Sequence, residues 1–354
     1  MNIKINKKIY KPSSKTYFIA DIAANHDGSL KKAKELIKLA AESGADAAKF
    51  QNFRAETIVS DYGFKSLKNK LSHQSKWKKS VFNVYKNAEV PLTWTKELKD
   101  TCSKHNIDYF TAPYDLKMLP YLNKFVPAWK VGSGDITWHE NILYMANTKK
   151  PIMIATGASE LSEIKDVLKK VLKVNKQVVL MQCNTNYTAS NKNFDYINLN
   201  CLKTFKKMFP NVVLGLSDHT FGSETVLGAI SLGAKFIEKH FTNKNELDGP
   251  DHKFSMNPSS WSKMIESARK LERSMGTSIK KIEYNEKETV VLQRRSIRLS
   301  RDMKKGEIIR KNDLVYLRPC PKNSLPPYKK NLILNKEIIK NLKFHHPIGL
   351  KDVK

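Results

Sequence analysis

Residues 212–242 read VVLGLSDHTFGSETVLGAISLGAKFIEKHFT, and this stretch decides the fold. Two apolar runs of strand length flank a helix-length segment, so the stretch is one βα unit followed by the next strand. His219 closes the first run and His240 closes the second. In a (β/α)8 barrel, the carboxyl ends of neighbouring strands lie side by side over one pocket. A single histidine here would be interpreted as a hydrogen-bonded core residue, but the matched pair predicts a shared metal ion.

The same alternation of strand and helix patterns extends over residues 17–276. The predicted strands are FIADIA, AAKFQ, DYFTAP, AWKVGSG, IMIATGA, VVLMQCN, VVLGLSD and FIEKHF. Eight βα units in a segment of this length are typical of a closed parallel barrel, and apolar strands fit burial on both faces. The alternative is a doubly wound sheet, but the Gly132-Ser133-Gly134 sequence lacks the third glycine of a dinucleotide-binding fingerprint. We therefore predict a (β/α)8 TIM barrel.

The chain changes character after residue 276. Residues 277–292 are charged, and residues 293–354 show short strand patterns, tight turns and small helices. We predict a catalytic barrel over 1–276, a linker over 277–292 and a small α+β domain over 293–354. The barrel also contains a long connection between its second and third strands, with SDYGFKSLKNKLSHQSKWKKS at residues 60–80. Such a connection is typical of a lid or binding loop, although mobile decoration has the same pattern.

The formal net charge of +29 raises nucleic acid or a membrane surface as a partner. Only nine of the basic residues are arginines, however, and the lysines fall on the polar sides of helices, as in KKAKELIKLA at 31–40. We interpret the charge as solvated helix faces and expect neither partner, with a non-catalytic polyanion-binding protein as the alternative. The four cysteines lack paired spacing, and the chain has neither a signal peptide pattern nor a long apolar run. We therefore expect a soluble, cytoplasmic protein.

Polar residues collect at the predicted strand ends, which are otherwise apolar. They include Asp21 and His26, Lys49 and Gln51, Tyr114, Lys130, Ser133 and Asp135, Asn184, Thr185 and Tyr187, Ser217 and Asp218, and Glu238. A lysine inside an apolar strand costs several kcal/mol to desolvate unless an anion compensates it. Together, Lys49, Lys130, Ser133 and Ser217 predict a phosphate cradle, and salt bridges to barrel carboxylates are the alternative for either lysine.

The carboxylates of Asp21 and Asp135 are placed for acid–base chemistry. Their alternative role is to neutralise Lys49 and Lys130. Asp218 and Glu238 precede the histidines, where each would orient an imidazole or cap a loop. Cys183 ends a strand, but no base can be assigned to it from spacing, so core packing is favoured.

At these residues the chain resembles the sialic acid synthase family. The resemblance extends over FIADIAANHDGSLKKAKELIKLAAESGADAAKFQ, PAWKVGSGD, LGLSDHT, EKHFT and DGPDHKFSMNP. The later KKGEIIRKNDLVYLRP resembles the antifreeze-like (SAF) domain that follows the barrel in that family. The resemblance implies condensation of phosphoenolpyruvate with an open-chain N-acyl amino sugar, such as N-acetylmannosamine or a modified hexose. The products would be a nonulosonic acid and phosphate, released by C–O cleavage.

The resemblance also implies roles for individual residues. A divalent cation, usually Mn²⁺, with Mg²⁺ or Co²⁺ as alternatives, would bind His219 and His240. Phosphoenolpyruvate would contact Lys49, Gln51, Lys130, Ser133, Thr185 and Ser217, and the sugar would contact Asp21, Tyr114, Tyr187, Asp251 and Arg318. Asp21, Asp135, Lys49 and Lys130 would be catalytic. A homodimer is implied in which the antifreeze-like domain brings Arg318 to the partner's site.

The chain departs from the family pattern at several of these positions. Asp21 and Asp135 stand where the family usually has glutamate, and a shortened carboxylate is displaced by an amount that matters for catalysis. Ala112, Ala155 and Thr185 replace a threonine, a serine and an asparagine of the family. We therefore expect a modified amino-sugar substrate. The alternatives are a phosphoenolpyruvate-dependent synthase acting on a different sugar aldehyde and an inactive barrel that serves as a scaffold.

Overall fold

The computed structural model describes residues 2–67, 74 and 77–354. The chain divides into two compact units, Met1–Gly276 and Thr277–Lys354. The first unit begins with an antiparallel hairpin of β1 (Ile3–Ile5) and β2 (Lys8–Tyr10). No helix within the described ranges is long and apolar enough to cross a membrane.

Eight parallel strands follow the hairpin and form a nearly closed barrel. They are β3 (Tyr17–Asp21), β4 (Ala47–Asn52), β5 (Asp108–Pro113), β6 (Trp129–Val131), β7 (Ile152–Ala155), β8 (Val178–Cys183), β9 (Val213–Asp218) and β10 (Phe236–His240). Their order in the sheet is β5-β4-β3-β10-β9-β8-β7-β6. The end strands β5 and β6 are adjacent, and in the described part of the chain no ladder joins them. The predicted TIM barrel is confirmed, and all eight predicted strands are present.

Helices surround the barrel. They are α1 (Leu30–Glu42), α2 (Ala55–Ile58), α3 (Asp61–Ser66), α4 (Val81–Asn87), α5 (Thr95–Lys104), α6 (Leu119–Leu122), α7 (His139–Asn147), α8 (Leu161–Val174), α9 (Cys201–Met208), α10 (Glu224–Ser231) and α11 (Pro258–Ser274). Helix α8 shows why they form. Its buried residues Ile164, Val167, Leu168 and Val171 recur at helical spacing, and Glu160 and Glu163 make a capping box at its start.

Two apolar clusters hold the barrel together. The larger one lies between the strands and the surrounding helices, with members such as Trp129 and Trp261. The smaller one contains residues near the strand starts, including Tyr17 and Phe236, and it also contains Ile3 and Ile5 of the hairpin. Because the apolar residues concentrate near the strand starts, the opposite ends of the strands are left for polar side chains.

The long connection after β4 carries three short helices, α2, α3 and α4, in its described part. Helix α4 brings Tyr85 against Phe53, with ring centroids 5.4 Å apart. Residues 68–73, 75 and 76 of the predicted lid lie outside the described residues. The described part of the connection therefore packs against residues that follow β4.

The second unit contains the predicted small domain. Helix α12 (Lys287–Leu292) falls within the segment predicted as a linker. Strands β11 (Ser296–Leu299) and β12 (Leu314–Leu317) pair antiparallel, and a separate core forms around Ile297, Ile309 and Ile338. The unit therefore has an apolar centre of its own.

Candidate active site

The two histidines of the opening stretch face each other at the carboxyl ends of the strands. Their ring centroids are 5.2 Å apart, and both rings are buried. His219 Nδ1 lies 2.9 Å from the carbonyl oxygen of Asn184. Because a carbonyl only accepts hydrogen bonds, Nδ1 of His219 carries the proton, and Nε2 is the ring nitrogen left for any other partner. The geometry therefore brings together the pair that the sequence singled out.

His240 is held in the neutral form that binds metals. Burial, followed by the neighbouring His219 and then Lys49, keeps the pKa of His240 well below its usual range. Its Nδ1 atom is buried and lacks a hydrogen-bond partner in the ranges that the structure describes. An orphaned buried nitrogen of this kind is costly unless a ligand satisfies it. The donor set thus fits a cation held by imidazole nitrogens.

Two carboxylates border His240. The Oδ2 atom of Asp21 is 3.6 Å from Nε2 of His240, and Oδ2 of Asp251 is 4.0 Å from its Nδ1. Burial raises the pKa of Asp251 to about 6, against the opposing backbone hydrogen bond from Ala24. Among the described residues, no group of three or more histidine, cysteine or carboxylate side chains has a metal-binding arrangement. The assignment of a metal to the two imidazoles therefore stays a prediction from the sequence.

The two buried strand lysines lie in one ion-pair cluster. Lys49 Nζ is 2.7 Å from Oδ2 of Asp21 and 3.5 Å from Oε1 of Glu238. Lys130 Nζ is 3.2 Å from the same Glu238 oxygen. Although burial alone would lower it, Asp21 and Glu238 raise the pKa of Lys49. Both lysines therefore make salt bridges to barrel carboxylates, the alternative to a phosphate cradle. Their ammonium groups also converge on one oxygen of Glu238, as the prediction of a phosphate cradle requires.

Ser217 joins this cluster, since its Oγ donates to Oε1 of Glu238 over 3.1 Å. Burial would raise the pKa of Glu238, but Lys130 and then Lys49 outweigh it and keep the pKa below its usual value. The interpretation of Glu238 as a loop cap or an orienting partner of an imidazole is therefore wrong. Its side chain is the shared counter-ion of the lysines.

The neighbouring carboxylate Asp218 also differs from expectation. Its Oδ2 lies 2.5 Å from Nζ of Lys239, and both side chains are almost fully buried. Asp218 also accepts hydrogen bonds from the hydroxyls of Thr220 and Thr225. Because successive residues of a strand face opposite sides, Lys239 and Asp218 face away from the cluster of Glu238. Asp218 is therefore part of a structural ion pair and does not orient an imidazole.

A second group of polar side chains surrounds Gly157, just after β7. The backbone amide of Gly157 donates to Oγ of Ser133 over 3.0 Å. A Cβ atom on Gly157 would lie 1.9 Å from Oγ1 of Thr185 and 3.0 Å from Sγ of Cys183. Only glycine allows this close approach. Ser133 and Thr185, both predicted to contact phosphoenolpyruvate, are thus brought next to each other.

Cys183 is buried beside His219. Burial alone would raise the pKa of Cys183, but its hydrogen bond with His219 outweighs burial and lowers the pKa to about 7. The sequence favoured core packing for this thiol, and its contact with a predicted metal ligand was missed. The one available signal was its position at a strand end, two residues before Thr185.

Aromatic rings enclose the histidine pair. The Tyr187 ring centroid is 4.5 Å from that of His219, and the Phe254 centroid is 4.8 Å from that of His240. Phe254 was not predicted as a site residue, although it lies three residues after Asp251 within a quoted motif. Rings at these distances exclude water and strengthen electrostatic interactions in the site.

The remaining predicted residues of the first unit lie near the carboxyl ends of the strands. Asp135 ends a 3-10 turn, Ser133–Asp135, and burial raises its pKa to about 6. Tyr114 packs on this turn, because a Cβ on Gly132 would lie 2.4 Å from its hydroxyl. Gln51 Nε2 lies 3.5 Å from Oδ2 of Asp21. Arg318 is exposed in the second unit, directly after β12.

A cavity of about 1110 Å³ opens beside these rings. Its walls come from four segments: residues 24–28, the described insertion residues 77–88, residues 187–189 and residues 248–254. It contains charged side chains of both signs, such as Asp27, Lys78 and Lys253. A cavity of this size can accept a ligand as large as a sugar.

The family model of the NeuB family matches residues 36–280, more than half of the chain. The chain belongs to the NeuB family. The SAF domain model matches residues 294–354, as the resemblance of the tail predicted. Membership of the NeuB family confirms the prediction of an enzyme of the sialic acid synthase class.

Relatives in the NeuB family have named activities. The N,N'-diacetyllegionaminic acid synthase of Campylobacter jejuni is 34% identical over 93% of this chain and 97% of its own length. The pseudaminic acid synthase of the same bacterium is 31% identical over 95% and 96%. The crystal structure of the sialic acid synthetase of Leptospira borgpetersenii, in complex with citrate, has a TM-score of 0.69 at 26% identity, covering 82% of this chain and 95% of that one.

Proposed function

We propose that this NeuB-family enzyme condenses phosphoenolpyruvate with the open-chain aldehyde of an N-acyl amino sugar. C3 of phosphoenolpyruvate would bond to the aldehyde carbon, water would add at C2, and phosphate would leave with cleavage of the C2–O bond. The products are a nonulosonic acid and inorganic phosphate. The observation that carries the proposal is the convergence of Lys49, Lys130 and Ser217 on one point beside the buried pair His219 and His240.

The lysines and hydroxyls would bind phosphoenolpyruvate. The ammonium groups of Lys49 and Lys130 supply positive charge in a buried place, where it acts strongly on a phosphate or carboxylate. Ser133, Ser217 and Thr185 add hydroxyl donors, and Gln51 adds an amide. Binding of the anion would orient its methylene carbon toward the histidine pair.

His219 and His240 would hold a divalent cation, for which the family resemblance implies Mn²⁺, with Mg²⁺ and Co²⁺ as alternatives. The bound cation would act as a Lewis acid that makes the aldehyde carbon electrophilic. Asp135 has a pKa near 6, so it can hold or release a proton near neutral pH. Tyr114, Tyr187, Asp21 and Asp251 surround the position of the sugar in this proposal.

We further propose that the sugar is a modified N-acyl amino hexose and not N-acetylmannosamine. Two arguments support this choice. Asp21 and Asp135 are each one methylene shorter than the glutamates of the family, and relatives at 34% and 31% identity are named for legionaminic and pseudaminic acids. A substrate with additional bulk would restore contacts with the shorter carboxylates.

The test is phosphate release from phosphoenolpyruvate and Mn²⁺ with a panel of amino-sugar aldehydes. The proposed reaction requires release that depends on both the metal and the aldehyde, and the substrate proposal requires a modified hexose to give the highest kcat/KM. N-acetylmannosamine as the best substrate would contradict the substrate proposal alone. Absence of release with every aldehyde in the panel would contradict the reaction.

We also propose a homodimer in which the SAF domain of one protomer brings Arg318 to the partner's site. The SAF match and the position of Arg318 after β12 support this arrangement. A guanidinium is suited to binding carboxylate or hydroxyl oxygens of a sugar. The cytoplasmic location stays a prediction from the sequence.

A further inference from the structure

One oxygen of Glu238 lies where three proposed ligands of phosphoenolpyruvate converge. Its Oε1 atom is 3.5 Å from Nζ of Lys49, 3.2 Å from Nζ of Lys130 and 3.1 Å from Oγ of Ser217. The three donors come from three strands, β4, β6 and β9, and Glu238 lies on a fourth. An oxygen of a bound phosphate or carboxylate would need the same donors.

The other oxygen of Glu238 has a different environment. Oε2 is buried and has no hydrogen-bond partner among the residues that the structure describes. The carboxylate is therefore held through Oε1 alone, and no hydrogen bond compensates the burial of Oε2. A side chain with a purely structural role would be expected to have both oxygens satisfied, as Asp218 has on the opposite face of the sheet.

The charges of the cluster also indicate that the ion pairs of Glu238 with the two lysines can be exchanged for pairs with a bound anion. Lys49 and Lys130 carry two positive charges, and Asp21 and Glu238 carry two negative ones. The cluster is thus balanced without any substrate. When an anion enters, the negative charge of Glu238 competes with it for the same donors and repels it in a place where water screens little.

We propose that Glu238 is a positioning residue that stands in for the substrate anion. In the free enzyme its carboxylate holds the two ammonium groups and the hydroxyl of Ser217 in an arrangement that fits an anion oxygen. When phosphoenolpyruvate binds, the anion takes over these donors from Glu238. This inference rests on the proposed function, because it takes the cluster to be the phosphoenolpyruvate site.

The test is equilibrium binding to Glu238→Gln, which keeps the shape of the side chain and removes its charge. Binding of inorganic phosphate and of phosphoenolpyruvate is measured calorimetrically, without the sugar. Loss of the competing charge should lower both dissociation constants by about tenfold. Glu266→Gln is the matched control, since Glu266 is exposed on α11 and pairs only with Lys270 among the described residues, so its dissociation constants should equal those of the wild type.

Unchanged or weaker binding by Glu238→Gln would overturn the inference, because a supporting role alone predicts that loss of the carboxylate disorders the lysines. If Glu238→Gln does not fold, the same binding measurement is made on Glu238→Asp, which keeps the negative charge. Dissociation constants within a few-fold of the wild type would support the inference, and weakening beyond about tenfold would overturn it. Wild-type protein that binds neither anion would instead overturn the proposed function, and with it this inference.

Discussion

Lys49 and Asp21 form a buried ion pair across two neighbouring barrel strands, with Nζ and Oδ2 2.7 Å apart. The two residues are register partners, with Asp21 at the end of β3 and Lys49 inside β4. The same Asp21 oxygen is 3.6 Å from Nε2 of His240. Asp21 therefore links the buried lysine cluster to the histidine pair, and its side chain contacts members of both.

The first prediction concerns this ion pair. Asp21→Asn leaves the ammonium of Lys49 buried with less compensation, so the free energy of unfolding should fall by about 3–5 kcal/mol. Urea denaturation measures the change. Asp100→Asn is the control, because Asp100 pairs with Lys96 on an exposed helix face and its loss should not alter stability measurably. Equal stability of Asp21→Asn and the wild type would show that Glu238 alone compensates Lys49.

The second prediction concerns the metal. His219→Ala and His240→Ala should each raise the dissociation constant for Mn²⁺ by about 100-fold or more, because each removes an imidazole ligand. Calorimetric titration of the metal measures this without turnover. His105→Ala, at the end of α5, should bind Mn²⁺ like the wild type. Full Mn²⁺ affinity in either site variant would end the assignment of the metal site.

The third prediction concerns pH and Asp135. Burial raises the pKa of Asp135 from 3.8 to about 6 in the folded protein, so folding favours the protonated form. Stability associated with this group is fully present below 3.8 and is lost as the pH rises through about 6. Asp135→Asn cannot ionise, so above that range it should be more stable than the wild type by on the order of 2 kcal/mol.

Denaturation of both proteins across this pH window measures the difference. It should grow as the pH rises, because only the wild type has to ionise a buried carboxyl. A difference that stays constant with pH would mean that Asp135 titrates as it does in the unfolded chain.

The fourth prediction concerns the close approach at Gly157. In Gly157→Ala the added methyl would meet Oγ1 of Thr185, so the hydroxyls of Thr185 and Ser133 must move apart. KM for phosphoenolpyruvate should rise by about tenfold or more, since displacements near 1 Å are costly in such sites. Gly134→Ala is the matched control, because a Cβ there has no described atom within 4 Å. The same KM for both variants would show that Thr185 and Ser133 do not contact phosphoenolpyruvate.

The fifth prediction concerns the dimer. Arg318→Ala and Lys49→Ala are each expected to be inactive as homodimers. Equal mixing and reassembly should restore about a quarter of the wild-type activity, because half of the dimers are mixed and each mixed dimer has one intact site. Phosphate release after co-refolding measures the recovery. Verified mixed dimers without activity would place Arg318 in its own protomer's site or outside catalysis.

Most of the architecture could be predicted from the sequence, because the alternation of strand and helix patterns is local. The positions of the strand ends determine which side chains meet, so His219 and His240 could be paired from the sequence alone. The role of Glu238 could not be predicted in this way. Which carboxylate neutralises which lysine depends on side-chain directions across four strands, and spacing along the chain carries no such information.

Phe254 and Cys183 were missed for a related reason. Phe254 lies in a loop after the last strand, and the folding of that loop over His240 is a tertiary feature. Cys183 has an apolar appearance in the sequence, and its polar partners, His219 and Thr185, come from tertiary structure and from the loop after the strand. Local patterns thus identify strand ends well and loop contacts poorly.

The outward pair of Lys239 and Asp218 has a consequence for how this fold can change. Glu238 and His240 alternate with Lys239 along β10. The outward ion pair of Lys239 with Asp218 therefore favours the register in which Glu238 and His240 point toward the barrel axis. Deleting a single residue from β10 would turn the side chain of Lys239 toward the barrel axis and that of Glu238 away from it. A change of length within β10 would therefore disturb the buried cluster, whereas a change of length in the loops at the mouth would leave this register intact.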